Sequence, residues 1–327
     1  MSSDIFSDYK IFNIDPSSLR SENFYQDLIT ERKTYWDERK VLIKDDDEAQ
    51  CTLCNSKDNH LYLEYKGYKL FECKECQAVF ANIIFDERYN QLVYDNSLYE
   101  KNIKRELLDT YEYRKEKFGK DRLDYIVNKC QFTPNKKLLD LGCGPGYFLK
   151  YLTEKNIKCK GLELTQYLVD ICKEKNLDVS STSLESEPNL EYDIITMFDV
   201  LEHLTNPIDF FKTANKKIKM GGNILAYTPN IHSFAFHFQK GEQNLLAPYE
   251  HVIFYNQHSL GHLAEETGFT VESIDYYGLD IVDYFSMKGH KDDINYNEKL
   301  SDIIPYMQAL IDSEKISNHM RIVFKKV

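Results

Sequence analysis

The sequence has no apolar run near the roughly 18–20 residues that span a bilayer, and it lacks an excess of positive charge. Lys and Arg number 41 against 53 Asp and Glu, a formal net charge of −12. Nucleic-acid binding draws mainly on phosphate neutralisation, so a chain this acidic is a poor general candidate for it. The opening MSSDIFSDYK is acidic where a secretory leader would be basic and then apolar,. These absences predict a soluble, cytoplasmic protein that enters no membrane, and they make nucleic acid an unlikely partner beside a small molecule. Without a leader, the eight cysteines do not imply disulfides,. Glycine is scarce, 13 in 327 residues, and Trp36 is the only tryptophan. What is present suffices for a core: 42% of residues are hydrophobic, over a length that suits one large domain or two ordinary ones,.

A helix-like stretch runs from Phe24 to Leu42, and the acidic run Asp45 to Glu48 reads as a solvated boundary. Glu87 to Cys130 is charged and helical in pattern. After Pro134 short apolar runs alternate with amphipathic stretches, the mark of βαβ units on a mostly parallel sheet. Strands are expected at 137–142, 158–164, 178–183, 192–199, 222–228 and 270–277, with a last one at 320–324. Helices are expected at 146–156, 166–176, 207–219 and 259–267, and a further helix over 292–315. Cys130, Cys159 and Cys172 fall in apolar surroundings and read as small buried hydrophobes.

In this glycine-poor chain, Gly142, Gly144 and Gly146 crowd into five residues between the strand Leu138-Leu139-Asp140-Leu141 and a helix opening at Tyr147. Glycine is needed where a strand turns tightly into a helix and a ligand approaches bare backbone. A dinucleotide-type G-x-G-x-x-G would need glycine at position 147, where Tyr147 stands. Asp140 puts a carboxylate beside a buried strand, which is costly unless it meets a cation or donors, and the ammonium of a methionine moiety would serve. Glu163 follows Gly142 by 21 residues, at the end of the next strand, placed to hold both hydroxyls of a ribose,.

Leu139 to Gly146, Glu163, the segment Asp193 to Pro207 and Gly221 to Asn230 together resemble the class I S-adenosylmethionine-dependent methyltransferases. The likeness implies an α/β, Rossmann-like, doubly wound, mostly parallel sheet. It implies that Asp140, Gly142, Gly144 and Gly146 hold the methionine part of S-adenosyl-L-methionine and Glu163 the ribose. Leu164, Ser183, Leu184, Phe198 and Asp199 would complete the cofactor site, with Asn230 on the substrate side.

A sulfonium methyl is already a good electrophile, so the protein has to align a nucleophile with it and take a proton from a hydroxyl or carbon acid. The candidates are two acid–histidine pairs, Glu202-His203 and Glu250-His251, both expected over the carboxyl ends of the strands, where open α/β sheets bind ligands,. His203 and His251 are read as general base or orienting groups, assisted by Glu250. Glu202 is read as a loop brace, and Tyr249 as a pocket residue.

Cys51-x2-Cys54, 18 intervening residues and Cys73-x2-Cys76 fit the spacing of a tetrahedral structural zinc site,. Such a ribbon ahead of this fold is similar to the sugar C-methyltransferases of nucleotide-deoxysugar pathways. That likeness extends to Tyr249-Glu250-His251 and to Tyr94 and Tyr99, which would cover the pocket. It implies a sugar nucleotide or glycan precursor as acceptor. Two rivals are weighed beside it: a ribosomal-RNA base methyltransferase with a zinc module, which the acidic charge disfavours, and a non-catalytic cofactor-binding scaffold. The expected organisation is a helical extension over 1–50, a zinc ribbon over 51–84, a helical connector or lid over 85–130, the sheet domain over 131–280 with 318–327, and a helical insertion over 281–317.

Overall fold

A computed structural model of the chain describes residues 14–19, 24–94, 101–102, 104–247 and 249–327. Its three amino-proximal strands are β1 (Asn59–Tyr65), β2 (Tyr68–Cys73) and β3 (Val79–Ala81). Then follow β4 (Leu138–Leu141), β5 (Cys159–Leu162), β6 (Val179–Ser180), β7 (Tyr192–Phe198), β8 (Ile218–Pro229), β9 (Ile253–Phe254), β10 (Phe269–Tyr276) and β11 (His319–Lys326). Seven of them form one sheet in the order β10-β11-β8-β7-β4-β5-β6. The five from β8 to β6 are parallel, and β11 inserts antiparallel between β8 and β10. This is the mixed α/β, mostly parallel sheet that the sequence predicts.

The central strands β4 and β7 are mostly apolar because both faces are covered,. All four residues of β4 are buried, as are the last five of β7. The crossover helices are Tyr147–Glu154, Gln166–Glu174, Pro207–Lys217 and Gln257–Thr267. Their ends follow local chemistry. Asn206 caps the third, accepting from the Asp209 N–H, with Pro207 at the first helical position,. Asn256 and Ser259 cap the fourth reciprocally, and Gly268 at φ +78° ends it,.

Three expectations change. The strand expected from 222 begins at Ile218. The helix expected over 292–315 is instead Asp280–Asp292, a turn at Tyr296–Lys299, and Ile304–Ser313, because Asp293 adopts φ +56° and Pro305 starts a new helix. Within 87–130 the described residues are mostly helical but interrupted, with wide i→i+5 turns at Lys104–Leu108 and Lys115–Gly119,. The segment around Asp280–Ser313 is tied to the sheet by the buried Asp280, which accepts the Asn318 N–H at 2.8 Å and the Gln308 amide at 3.2 Å.

The cysteine-bearing strands are not an isolated unit. β9, from the far side of the chain, completes an antiparallel sheet in the order β1-β2-β3-β9, pairing Val79 with Phe254 and Phe80 with Ile253. One apolar core therefore runs from Cys51, Leu70 and Phe80 through Phe254 and Tyr255 to Leu139 and Ile195. Among the described residues no helix is long and apolar enough to cross a membrane.

Candidate active site

The turn after β4 carries three left-handed glycines, with φ of +63° at Gly142, +55° at Gly144 and +79° at Gly146. Their surroundings differ. A Cβ on Gly142 would meet Val200 Cγ2 at 2.6 Å, and one on Gly146 would meet Leu177 Cδ1 at 2.5 Å. At Gly144 the nearest atom would be 3.9 Å away. Gly142 and Gly146 thus serve close packing, whereas Gly144 presents bare backbone to open space.

That space is a cavity of about 1080 Å³ over the carboxyl ends of the strands. Asp140, Gly142, Gly144, Glu163, Leu164, Ser183, Leu184, Phe198 and Asp199 all line it. Asp140 is buried and accepts from Thr196 Oγ1 at 2.6 Å. Burial pushes its carboxyl up to about 6, against the pull of Thr196 and the Arg122 guanidinium,. Glu163 accepts the N–H of Gly144 at 3.0 Å and of Thr165 at 2.9 Å, one on each oxygen. Each oxygen keeps a further lone pair. Leu164 is 81% exposed, an apolar side chain suited to an adenine face.

The other side of the cavity carries the histidines. His203 and His251 meet edge to face with ring centroids 4.8 Å apart. Tyr94 Oη lies 3.2 Å from His203 Nδ1. His251 Nδ1 lies 2.8 Å from the Leu245 carbonyl, and a carbonyl only accepts, so the proton is on Nδ1 and Nε2 keeps its lone pair,. Burial draws His203 down to about 4, and burial together with His203 draws His251 down to about 3, so both are neutral at pH 7. Glu202 is fully buried beneath them. Its Oε2 accepts from Thr228 Oγ1 at 3.0 Å, and burial, reinforced by Asp199, raises its carboxyl well above the ordinary range. Burial would also raise Asp199, but His319, at 3.3 Å, outweighs it and holds the carboxyl at about 2.

Glu250 lines the cavity and stands 3.6 Å from the buried Arg39, whose guanidinium also donates to the Leu92 carbonyl at 2.8 Å. Two residues expected near the substrate lie elsewhere. Asn230 faces a separate hollow of about 650 Å³, its amide donating to the Ser317 carbonyl and accepting the His232 N–H, both at 3.0 Å. Tyr249 is 1% exposed and packs on Tyr68 in the core. Tyr99 lies outside the described residues.

Arg122, which sequence reasoning missed, stands over the Phe198 ring at 3.9 Å and lines the cavity near Asp140. A lone arginine in a charged helix gives no signal of such placement. His319, ahead of Met320 at the start of the last strand, went unnoticed for the same reason.

The four cysteines converge. Cys51 and Cys76 sulfurs are 3.5 Å apart, Cys54 and Cys73 are 3.4 Å apart, and all four lie within 4.8 Å of one another. The two knuckles repeat one pattern. Asn55 donates to the Cys51 carbonyl as Gln77 does to Cys73, both at 2.9 Å, with each donor in the left-handed region. Sulfurs at about 2.3 Å from a tetrahedral ion sit roughly 3.8 Å apart, so the cluster fits zinc.

The sheet order, the turn and the acid opposite it define a class I methyltransferase fold and cofactor site. Residues 101–274 match the family described as a methyltransferase domain, and the chain belongs to that family as an S-adenosylmethionine-dependent methyltransferase. It is similar to the ubiquinone biosynthesis O-methyltransferase of Aliivibrio fischeri, 27% identical over 192 residues that cover 54% of this chain and 81% of that one. The protein of that name from Vibrio vulnificus is 25% identical over 126 residues, covering 35% of this chain and 54% of its own. Among solved structures, a SAM-dependent methyltransferase from Archaeoglobus fulgidus is 20% identical with a TM-score of 0.45, covering 66% of this chain and 99% of that one.

Proposed function

We propose that the protein transfers a methyl group from S-adenosylmethionine to a hydroxyl of a small polar acceptor of the sugar-nucleotide or glycan-precursor class. The observation that carries this reading is that one cavity joins the Gly144–Glu163 turn to the neutral pair His203 and His251. When bound, the cofactor supplies an electrophilic methyl on a sulfonium.

The chain's own residues do the rest. The Asp140 carboxylate would hold the cofactor's ammonium, Glu163 the ribose hydroxyls, and Leu164 with Leu184 the adenine. Arg122 offers a guanidinium to the methionine carboxylate. On the acceptor side, His251 Nε2 is the free base, its ring fixed by the Leu245 carbonyl. Tyr94, through its hydroxyl on His203, covers the opening. The acceptor's proton goes to imidazole nitrogen as its oxygen meets the methyl. Oxygen as the nucleophile is supported by the relatives' O-methyltransferase name. Zn2+ on Cys51, Cys54, Cys73 and Cys76 has a structural role in this reading, because four thiolates leave no open position.

The test is incubation with S-adenosylmethionine and a panel of sugar nucleotides, read by mass spectrometry. A product heavier by one methylene supports the acceptor class. Methylation of ribosomal RNA and of no sugar nucleotide overturns it.

A further inference from the structure

We propose that Glu202, His203 and His251 form a second metal site, for one divalent first-row transition cation, and that this cation takes the acceptor's oxygen; the proposal rests on the methyl-transfer reading above. One ligand atom from each of the three side chains lies within 4.8 Å of the others. The environment of each is what a cation requires.

Glu202 is 0% exposed, and its Oε1 has no hydrogen-bond partner among the described residues. The nitrogen facing it, His251 Nε2, is 3.8 Å away. That gap is too long for a hydrogen bond, so a proton shared between the two groups does not account for the oxygen. A buried carboxylate oxygen left unmatched is costly, and a cation between it and the imidazoles removes the cost.

The histidines are prepared in the way metal-ligating histidines are. His251 commits Nδ1–H to the Leu245 carbonyl, which fixes the ring and leaves the Nε2 lone pair directed toward Glu202. His203 Nδ1 lies 3.2 Å from Tyr94 Oη, a hydroxyl able to accept its N–H and so leave Nε2 with a lone pair,. A ring nitrogen donating to a carbonyl behind the ligating one is the usual outer support of such a site.

Two imidazoles and one carboxylate suit a divalent first-row ion, Mn2+ among them, and leave coordination positions open. Here the open side is the cavity that the glycine turn shares. The four-cysteine cluster is closed, so the two sites differ in kind. An acceptor with two adjacent oxygens, a vicinal diol or a hydroxy-carbonyl, would fill two open positions. The deprotonation assigned above to the histidine pair then passes to the cation. The hydroxyl proton leaves to water, the O–CH3 bond forms as the S–CH3 bond breaks, and the cofactor departs as a neutral thioether.

The test is titration of the full-length, zinc-loaded protein with Mn2+, a hard ion that does not compete for thiolates, following loss of the free-ion EPR signal. One saturable equivalent is expected in the wild type. His251→Ala and Glu202→Gln should each weaken it at least tenfold, and His203→Ala serves if either fails to fold. Binding of S-adenosylmethionine reports folding in every variant. Absence of saturable Mn2+ uptake by wild-type protein that binds the cofactor overturns the metal site and leaves methyl transfer standing. Uptake that is unchanged in the variants overturns it too. Saturable uptake lost in the variants, together with no methylation of any sugar nucleotide, upholds the metal and sinks the acceptor class.

Discussion

Glu163 Oε2 accepts the Gly144 N–H at 3.0 Å, across the gap between the second strand of the sheet and the turn after the first. The carboxylate both braces the bare-backbone bend and faces the cavity, so it is already oriented for the ribose that the proposed reading gives it. Glu163→Ala should therefore cost about 1–3 kcal/mol in S-adenosylmethionine affinity, the range for a charge-assisted hydrogen bond. Calorimetric titration checks it. An unchanged dissociation constant would place the ribose elsewhere.

Asp140 gives cofactor binding a pH dependence of definite sign. Its carboxyl sits at about 6 in the free protein, above the ordinary 3.8, because it is buried. A bound ammonium needs the ionised form, so affinity should fall as pH drops through 6, by up to roughly tenfold per unit. Stability of the unliganded protein should move the other way at this site. A raised carboxyl pKa means that ionisation opposes folding between the ordinary value and 6, so acidification through that window relieves a penalty. Binding titrations from pH 5 to pH 8 check the first sign. Asp140→Asn should bind weakly and without that pH dependence.

Cofactor-side features were legible in the sequence because they are local. Three glycines in five residues, a strand before and a helix after, and an acid one strand later are all fixed by spacing. The features that sequence reading missed depend on distant chain. β9 is two residues long and is defined only by its pairing with β3. Arg39 and Arg122 act through carbonyls and aromatic rings far away in sequence, which leaves no periodic trace. Asn230 and Tyr249 were placed by motif, but tertiary packing turned one into a loop brace and the other into core. Even the early start of β8 has a tertiary cause, since Ile218 pairs with Tyr192 of β7 ahead of a register shift.

The cysteine cluster ought to hold more than its own loops. Because β9 joins the ribbon sheet just after His251, loss of the metal should loosen the wall that carries the histidines. Cys73→Ser is expected to lower bound zinc from one equivalent toward none and to lower the melting temperature. Elemental analysis and a thermal melt check both. Wild-type protein without zinc would refute the site.

Gly142 and Gly144 separate packing from binding within a single turn. Alanine at either position meets a positive φ, which costs an L-residue about 1–2 kcal/mol,. At Gly142 the new methyl also runs into Val200 at 2.6 Å, in a wall that cannot retreat without moving the residues before Glu202. Gly142→Ala should therefore lower the melting temperature more than Gly144→Ala does. Gly144→Ala has free space around its methyl, yet in the proposed reading that space receives the cofactor's methionine end. It should keep most of its stability and lose most of its S-adenosylmethionine affinity. A Gly144→Ala protein that melts early but binds normally would reverse the assignment of the two glycines.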